Sequence, residues 1–207
     1  MNCILIAAPA AEPVTLAEAK AWLRVDTTDE DTAISALIAS ARENVEATTQ
    51  RRLMAQDWRI VLDRWPFARG GDGSLDALWI GRCAPVMDVR LPLAPVSTVA
   101  AMRVYDASGQ PQPIPNNVWR LVGAPDRARL YFSSAPPQPG LPAGGIEIDV
   151  AAGYGAEADV PAALRQAILL LVADWYQNRG DAEAGSPGTP PTRVAALLAP
   201  FRRGRLV

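Results

Sequence analysis

The stretch VPAALRQAILLLVADWYQNRG, residues 160–180, decides the fold. It opens as a helix does, because Asp159 can cap the unpaired amides and Pro161 is tolerated in the first turn. Apolar side chains then recur at spacings of four, three and four, which places them on one helix face: Leu164, Ile168, Leu171 and Trp175. Tyr176 and other apolar residues fill most of the remaining faces, so we expect a central helix that is buried nearly all round. Its second face is covered either by the rest of the chain or by another copy.

The composition narrows the function classes. The chain has 207 residues, with 20 basic and 22 acidic residues and a net charge of −2, so no global field attracts it to nucleic acid. It contains no histidine, the commonest general base and metal ligand. Cys3 and Cys83 lack metal or redox spacing and are interpreted as isolated packing residues. The sequence therefore predicts no catalytic residue, no metal site and no cofactor.

Neither the central apolar stretch nor the N-terminal residues predict a membrane protein. The apolar run within residues 160–180 is about half of what a membrane span requires. The N-terminal MNCILIAAPA has no basic region and is too short in its apolar part for a signal peptide. We expect a protein that is made and kept in a cytoplasm.

Two helices are predicted near the N-terminus. Thr15 and Glu18 have the spacing of a capping box for a helix that ends near Val25. A second amphipathic helix is predicted from about residue 29 to 53, with acidic residues in its first turn and Arg51 and Arg52 at its negative pole.

The periodicity then becomes alternating, which predicts strands. The candidates are residues 58–63, 78–80, 86–91, 99–105, 119–122, 129–132 and 146–150. Turn signals rich in Gly and Pro separate them. The sequence therefore predicts an α+β fold, a helical core with an inserted small antiparallel β domain. The predicted boundaries are 1–56 for the N-terminal helices, 57–151 for the β domain, 152–179 for the central helix and 180–207 for a C-terminal arm.

The C-terminal arm is predicted in three parts. Residues 180–192 have almost no apolar side chains and are interpreted as a linker. Thr192 can cap a last short helix that Pro200 terminates or kinks. The tail that follows is basic and ends in apolar residues: Phe201, Arg202, Arg203, Arg205, Leu206 and Val207.

The order of these motifs resembles a known family. The motifs are TLAEAKAWLRV at 15–25, D-x-x-I-x-x-L-I-x-x-A-R at 31–42, AGYG at 152–155, the helix at 160–179 and LLAPFR at 197–202. Together they are similar to the head–tail connector, or adaptor, proteins of long-tailed bacteriophages and of phage-like gene transfer agents. The resemblance covers residues 13–54 and 146–203 well, and the β-rich middle only loosely.

The resemblance implies a virion protein at the head–tail junction. Such proteins form a ring, typically twelvefold, beneath the portal of a DNA-filled head. The expected partners are the portal protein, a stopper or tail-completion protein, neighbouring copies and the DNA that passes through without sequence-specific binding. The core or a subunit interface would be served by five residues of the central helix: Leu164, Ile168, Leu171, Trp175 and Tyr176. The portal would be bound by the tail residues given above, Phe201 to Arg203 and Arg205 to Val207.

Three alternatives remain open at this point. The chain could itself be a stopper or tail-completion protein, which occupies the next ring. It could be a nucleic-acid-binding module that uses Arg202, Arg203 and Arg205 on phosphates. An enzyme of unknown type is a third reading, against which the absence of histidine argues.

Overall fold

The computed structural model describes residues 1–66, 88–178 and 192–202, and these divide into two compact units. The β unit comprises residues 1–8 and 56–152, and the helical unit comprises the described residues of 9–55 and 153–207. The predicted α+β class is confirmed. The predicted strand at 78–80, Cys83, most of the predicted linker and residues 203–207 lie outside the described residues.

Four α-helices build the helical unit within the part that the structure describes. They are α1 (Leu16–Leu23), α2 (Asp31–Thr49), α3 (Ala162–Gln177) and α4 (Thr192–Leu198). A 3-10 turn, Ala199–Phe201, follows α4 at the predicted Pro200 break. Buried apolar side chains of all four helices form one core. The predicted capping box is present at α1, where the Thr15 hydroxyl accepts from the Glu18 amide and the Glu18 carboxylate accepts from the Thr15 amide.

The second helix is shorter than predicted. It ends at Thr49 because Gln50 adopts a left-handed conformation with φ of 57°, although the apolar periodicity continues to Leu53. Arg51 and Arg52 consequently lie beyond the helix. The predicted role for them at the negative pole of the dipole is replaced by tertiary contacts, described below.

The central helix α3 departs from prediction in two ways. Asp159 does not cap it, because the Asp159 carboxylate accepts from the Ala156 amide at 3.0 Å and Pro161 occupies the N-cap position. Leu164, Ile168 and Leu171 are buried, but Trp175 and Tyr176 are only half-buried. The expectation of a helix buried nearly all round is therefore wrong for the chain alone, since the three other helices of this unit leave part of its surface uncovered.

Two antiparallel sheets build the β unit. The five-stranded sheet has the order β1-β2-β8-β4-β5, and the three-stranded sheet has the order β3-β7-β6. The strands are β1 (Asn2–Ala7), β2 (Gln56–Leu62), β3 (Asp88–Arg90), β4 (Val96–Tyr105), β5 (Pro111–Pro113), β6 (Trp119–Val122), β7 (Arg129–Phe132) and β8 (Ile146–Ala152). Alternate residues of the two sheets enclose an apolar core that includes Ile60, Leu130, Phe132 and Ile148.

The N-terminal residues differ from the predicted domain limits. Residues 1–8 were grouped by sequence with the helices, but β1 pairs with β2 from Asn2↔Val61 to Ala7↔Asp57. Backbone hydrogen bonds to β2 thus place these residues in the β unit.

Candidate functional site

The first candidate assembly surface is the edge strand β1. Its side chains Ile4, Leu5 and Ile6 are 48, 44 and 52% exposed. The opposite edge of the same sheet, β5, carries Pro111 and Pro113, which cannot donate hydrogen bonds to a further strand. β1 has neither proline nor charge, the usual means by which edge strands avoid pairing. Among the described residues, the five-stranded sheet therefore has one blocked edge and one apolar edge that can still pair.

The outer face of the five-stranded sheet satisfies its charges internally. Asp149 on β8 accepts from Arg59 Nε at 2.7 Å and from Arg103 Nη1 at 2.8 Å. Burial alone would raise the pKa of Asp149, but the hydrogen bonds and charges of the two arginines outweigh it and lower the pKa. Burial and a hydrogen bond with Glu147 raise the pKa of Tyr105. This network stabilises the sheet and leaves little unmatched charge for a ligand.

The helical unit exposes an aromatic side chain on α1. Trp22 is 46% exposed. A shallow groove on the same helix is lined by Leu16, Ala17, Lys20, Ala21, Val25 and Asp26. The half-buried face of α3 is partly engaged, since the Tyr176 hydroxyl donates to Glu30. The α1 surface is the second candidate for a contact between copies.

The predicted arm starts differently from expectation. Arg51 Nε donates to the carbonyl of Phe201 at 2.8 Å, and the Arg51 guanidinium carbon lies 5.9 Å from the centre of the Phe201 ring. Phe201 is half-buried against the helical core. Arg202 is exposed. Phe201 is thus bound by its own chain, and an arm that reaches another protein must begin after it.

The AGYG motif holds the same region together. Arg51 Nη1 donates to the Tyr154 hydroxyl at 3.1 Å, and the Tyr154 amide donates to the carbonyl of Leu53 at 3.1 Å. Gly153 has φ of 129°, and a Cβ there would lie 2.0 Å from the carbonyl oxygen of Met54. Only glycine fits such a close approach of two backbones. Gly153 and Tyr154 of the motif are therefore explained by packing within the helical unit.

Buried Glu46 anchors the turn that follows α2. Its side chain is 4% exposed and accepts from the Leu53 amide at 2.8 Å. Arg42 and Arg52 each approach it at 3.4 Å. One carboxylate thus satisfies a backbone donor and two guanidinium groups, a tertiary role that helical periodicity does not reveal.

Sequence reasoning missed a basic surface on the three-stranded sheet. Arg90, Arg120 and Arg129 are exposed together with Tyr131 on the face opposite the core. These residues are spread over three strands, so no local run of charge indicates them. The available signal is the alternation within the predicted strands 119–122 and 129–132, where arginine occupies outward positions.

Neither a metal site nor a membrane span is found in the described parts of the chain. Residues 1–66, 88–178 and 192–202 contain no group of three ligating side chains that could hold a metal ion. No helix among them is long and apolar enough to cross a membrane.

The comparisons with known proteins agree with the motifs. Residues 13–68 match the family model described as phage gp6-like head-tail connector protein. A chain in the neck of an empty gene transfer agent (GTA) particle, computed with C6 symmetry, is 29% identical with a TM-score of 0.78. The match covers 100% of this chain and 98% of that chain. A chain in the neck of a native GTA particle, computed with C12 symmetry, is 29% identical with a TM-score of 0.72, and this match also covers 100% of this chain and 98% of that chain.

A chain in the virion of a native gene transfer agent particle is 28% identical with a TM-score of 0.75, again over 100% of this chain and 98% of that chain. A search of curated proteins finds no match. The predicted resemblance to head–tail connector proteins is confirmed.

Proposed function

We propose that this protein is a structural head–tail connector, or adaptor, in the neck of a phage-like particle of the gene transfer agent type. The observation that carries the proposal is the match along the entire chain to a neck protein at 29% identity and a TM-score of 0.78. The connector family model adds independent support over the first two helices. The protein acts by occupying a place in an assembly, and we assign it no enzymatic activity.

A ring of copies is the expected form in the particle. The similar neck chains come from particles computed with C6 and C12 symmetry, which supports a ring of twelve. A ring needs heterologous contacts, in which one patch of a subunit meets a different patch of its neighbour. The apolar edge strand β1 and the exposed Trp22 surface supply uncovered area for such contacts.

The proposed partners are the portal on one side of the ring and a stopper or tail-completion protein on the other. DNA passes through the lumen without sequence-specific binding, in keeping with the net charge of −2. We assign contact with the portal to Arg202, Arg203, Arg205, Leu206 and Val207, because Phe201 is held by Arg51. Guanidinium groups of such an arm require acidic groups or backbone carbonyls on the partner.

Assembly is proposed to be conditional on the portal. Interfaces that closed in the cytoplasm would form rings away from heads, so we expect a monomer or small oligomer in solution. Sedimentation velocity of the purified protein, alone and with portal, measures this directly. A stable ring without portal would contradict conditional assembly and leave the connector function standing.

Removal of the gene tests the function itself. We expect DNA-filled heads without tails, and tailed particles again when the protein is supplied in trans. An antibody fragment bound to the protein marks its position in electron micrographs of purified particles. We expect this label between head and tail. Location elsewhere, or particles that are complete without it, would refute the proposal. Crosslinks from the C-terminal arm to the next ring instead of the portal would indicate a stopper or tail-completion protein.

A further inference from the structure

The solvent face of the three-stranded sheet carries an excess of positive charge. We call Arg90, Arg120, Arg129 and Tyr131 the arginine face. Strand alternation directs them away from the core, because Val89, Leu130 and Phe132 on the same strands are buried. Three guanidinium groups thus share one small surface of a protein whose net charge is −2.

The register of the strands makes this charge unfavourable in the isolated chain. Arg90 on β3 lies directly opposite Arg129 on β7, and like charges at opposed positions destabilise a sheet. Asp88 compensates Arg129 through a contact of 3.0 Å. Within the part of the chain that the structure describes, Arg90 and Arg120 have no carboxylate partner. An acidic group from another molecule would relieve the repulsion.

The side chains around the arginines are typical of a protein interface. The Arg120 guanidinium carbon lies 5.0 Å from the centre of the Tyr131 ring, which orients the guanidinium before any partner arrives. A shallow depression beside them is lined by Asn117, Trp119, Arg120, Tyr131 and Ser133. The Trp119 ring itself lies on the core side of β6, where it packs against the β core. Tyrosine and arginine, which the solvent face does carry, are among the residues that dominate interface energetics.

The helical unit carries a surface of complementary character. Asp26 and Asp29 are exposed in the turn between α1 and α2, close in sequence to the exposed Trp22. Neither carboxylate has a partner in the described ranges. Lys20 of the same region is already paired with Asp31. We call residues 26–29 the acidic turn.

We propose that the arginine face of one copy binds the acidic turn of the neighbouring copy in the ring. The inference rests on the proposed ring, because only a heterologous contact needs two different and complementary patches on each subunit. Opposite charge fixes which neighbour surface is accepted, and Tyr131 on the arginine face and the exposed Trp22, close in sequence to the acidic turn, supply apolar contact area. A second copy therefore fits the face better than DNA does, since phosphate binding explains neither the oriented tyrosine nor the adjoining depression.

Charge reversal of each patch and of both together tests the contact. The variants are Arg120→Glu, Asp29→Arg and the double variant, each supplied in trans to particles that lack the protein. Arg64→Glu and Asp57→Arg are matched controls, because both positions are exposed and outside the two patches. Copies of the protein per particle are counted by quantitative mass spectrometry, and tailed particles by electron microscopy. Thermal melts verify that each variant is folded.

We expect each single reversal to lower the number of tailed particles at least about tenfold, because it places like charges against each other. The double variant restores the opposite-charge pairing and is expected within about threefold of the parent. The controls remain at the parental level. Single reversals that assemble normally, or a double variant no better than either single, overturn the inference.

Two further outcomes separate the possible causes of failure. Absence of the parental protein from the particles would refute the connector function. If the parental protein is present in the particles and each single-reversal variant assembles as well as the parent, the contact alone is refuted. Arg120→Glu that leaves rings intact but weakens binding of a 30-base-pair duplex in a salt-dependent way would assign the arginine face to DNA.

Discussion

Replacement of Glu46 by alanine should destabilise the helical unit more than any exposed substitution. The carboxylate is 4% exposed and is the acceptor for the Leu53 amide at 2.8 Å. It also lies 3.4 Å from Arg42 and from Arg52. Truncation removes all three interactions at once and opens space beside the fully buried Leu53.

The expected loss of unfolding free energy depends on which other contacts the partners of Glu46 keep after the substitution. A buried amide without an acceptor costs about 1–3 kcal/mol, and the broken side of a buried ion pair about 3–5 kcal/mol. Arg42 keeps a second carboxylate, Glu12, at 2.8 Å, and Arg52 is 24% exposed and keeps water. We therefore expect about 3 kcal/mol for Glu46→Ala, below the sum of the two ranges, because both arginines keep another carboxylate or water.

Two matched variants separate the terms. Glu46→Gln keeps an oxygen for the Leu53 amide and removes the charge, so we expect about 1–2 kcal/mol. Glu43→Ala removes a carboxylate that is 70% exposed, 3.3 Å from Arg42, and should cost less than about 1 kcal/mol. Urea unfolding measures the free energies, and hydrogen exchange of the Leu53 amide reports the local effect. Equal stability of Glu46→Ala and Glu43→Ala, with unchanged exchange at Leu53, would refute this reasoning.

Three other predictions concern the core, the sheet and the tail. Leu171→Ala should cost about 2–5 kcal/mol in urea unfolding and Trp175→Ala less, because Leu171 is 1% exposed whereas Trp175 is half-buried; an equal or larger cost at Trp175 would contradict this order. The lowered pKa of Asp149 stabilises the fold at pH values above the ordinary aspartate pKa of about 3.9. The melting-temperature difference between Asp149→Asn and the parent should therefore persist at pH 7 and shrink as the pH falls from about 5 through the folded pKa. A difference that is the same at pH 7 and pH 3 would contradict this prediction. Deletion of residues 203–207 should leave the melting temperature unchanged and prevent the joining of heads to tails. Deletion of residues 200–207 should in addition lower the melting temperature, because it removes the Phe201 contacts with Arg51. Tailed particles with either deletion would exclude the arm as the portal anchor.

Local signals in the sequence were sufficient for several elements. The capping box of Thr15 and Glu18 is made within one turn, and it is present as predicted. Strands β6 and β7 have the predicted limits, Trp119–Val122 and Arg129–Phe132, because their apolar and polar residues alternate where Gly and Pro bound them. Such signals depend on neighbours in sequence, which is why a single chain reveals them.

Features that depend on distant residues were not predictable in the same way. The strand β1 is a short apolar run without alternation, and its partner β2 follows about fifty residues later. The end of α2 is stabilised by the tertiary bond from Leu53 to Glu46, which periodicity does not encode. The arginine face assembles from three strands, so its charge is visible only once Arg90 and Arg129 are known to be paired.

The division of the chain between the two units also constrains how it folds during synthesis. β1 leaves the ribosome first, but its partner β2 follows only after α1 and α2, and β8, the other neighbour of β2, ends at Ala152. The helical unit in turn lacks α3 and α4 until the last fifth of the chain has been made. The β unit therefore has all its described strands once Ala152 has been made, whereas the helical unit cannot complete its core until α4 has been made. Chains that terminate before β8 would display the apolar β1 without its complete sheet, which exposes them to proteolysis.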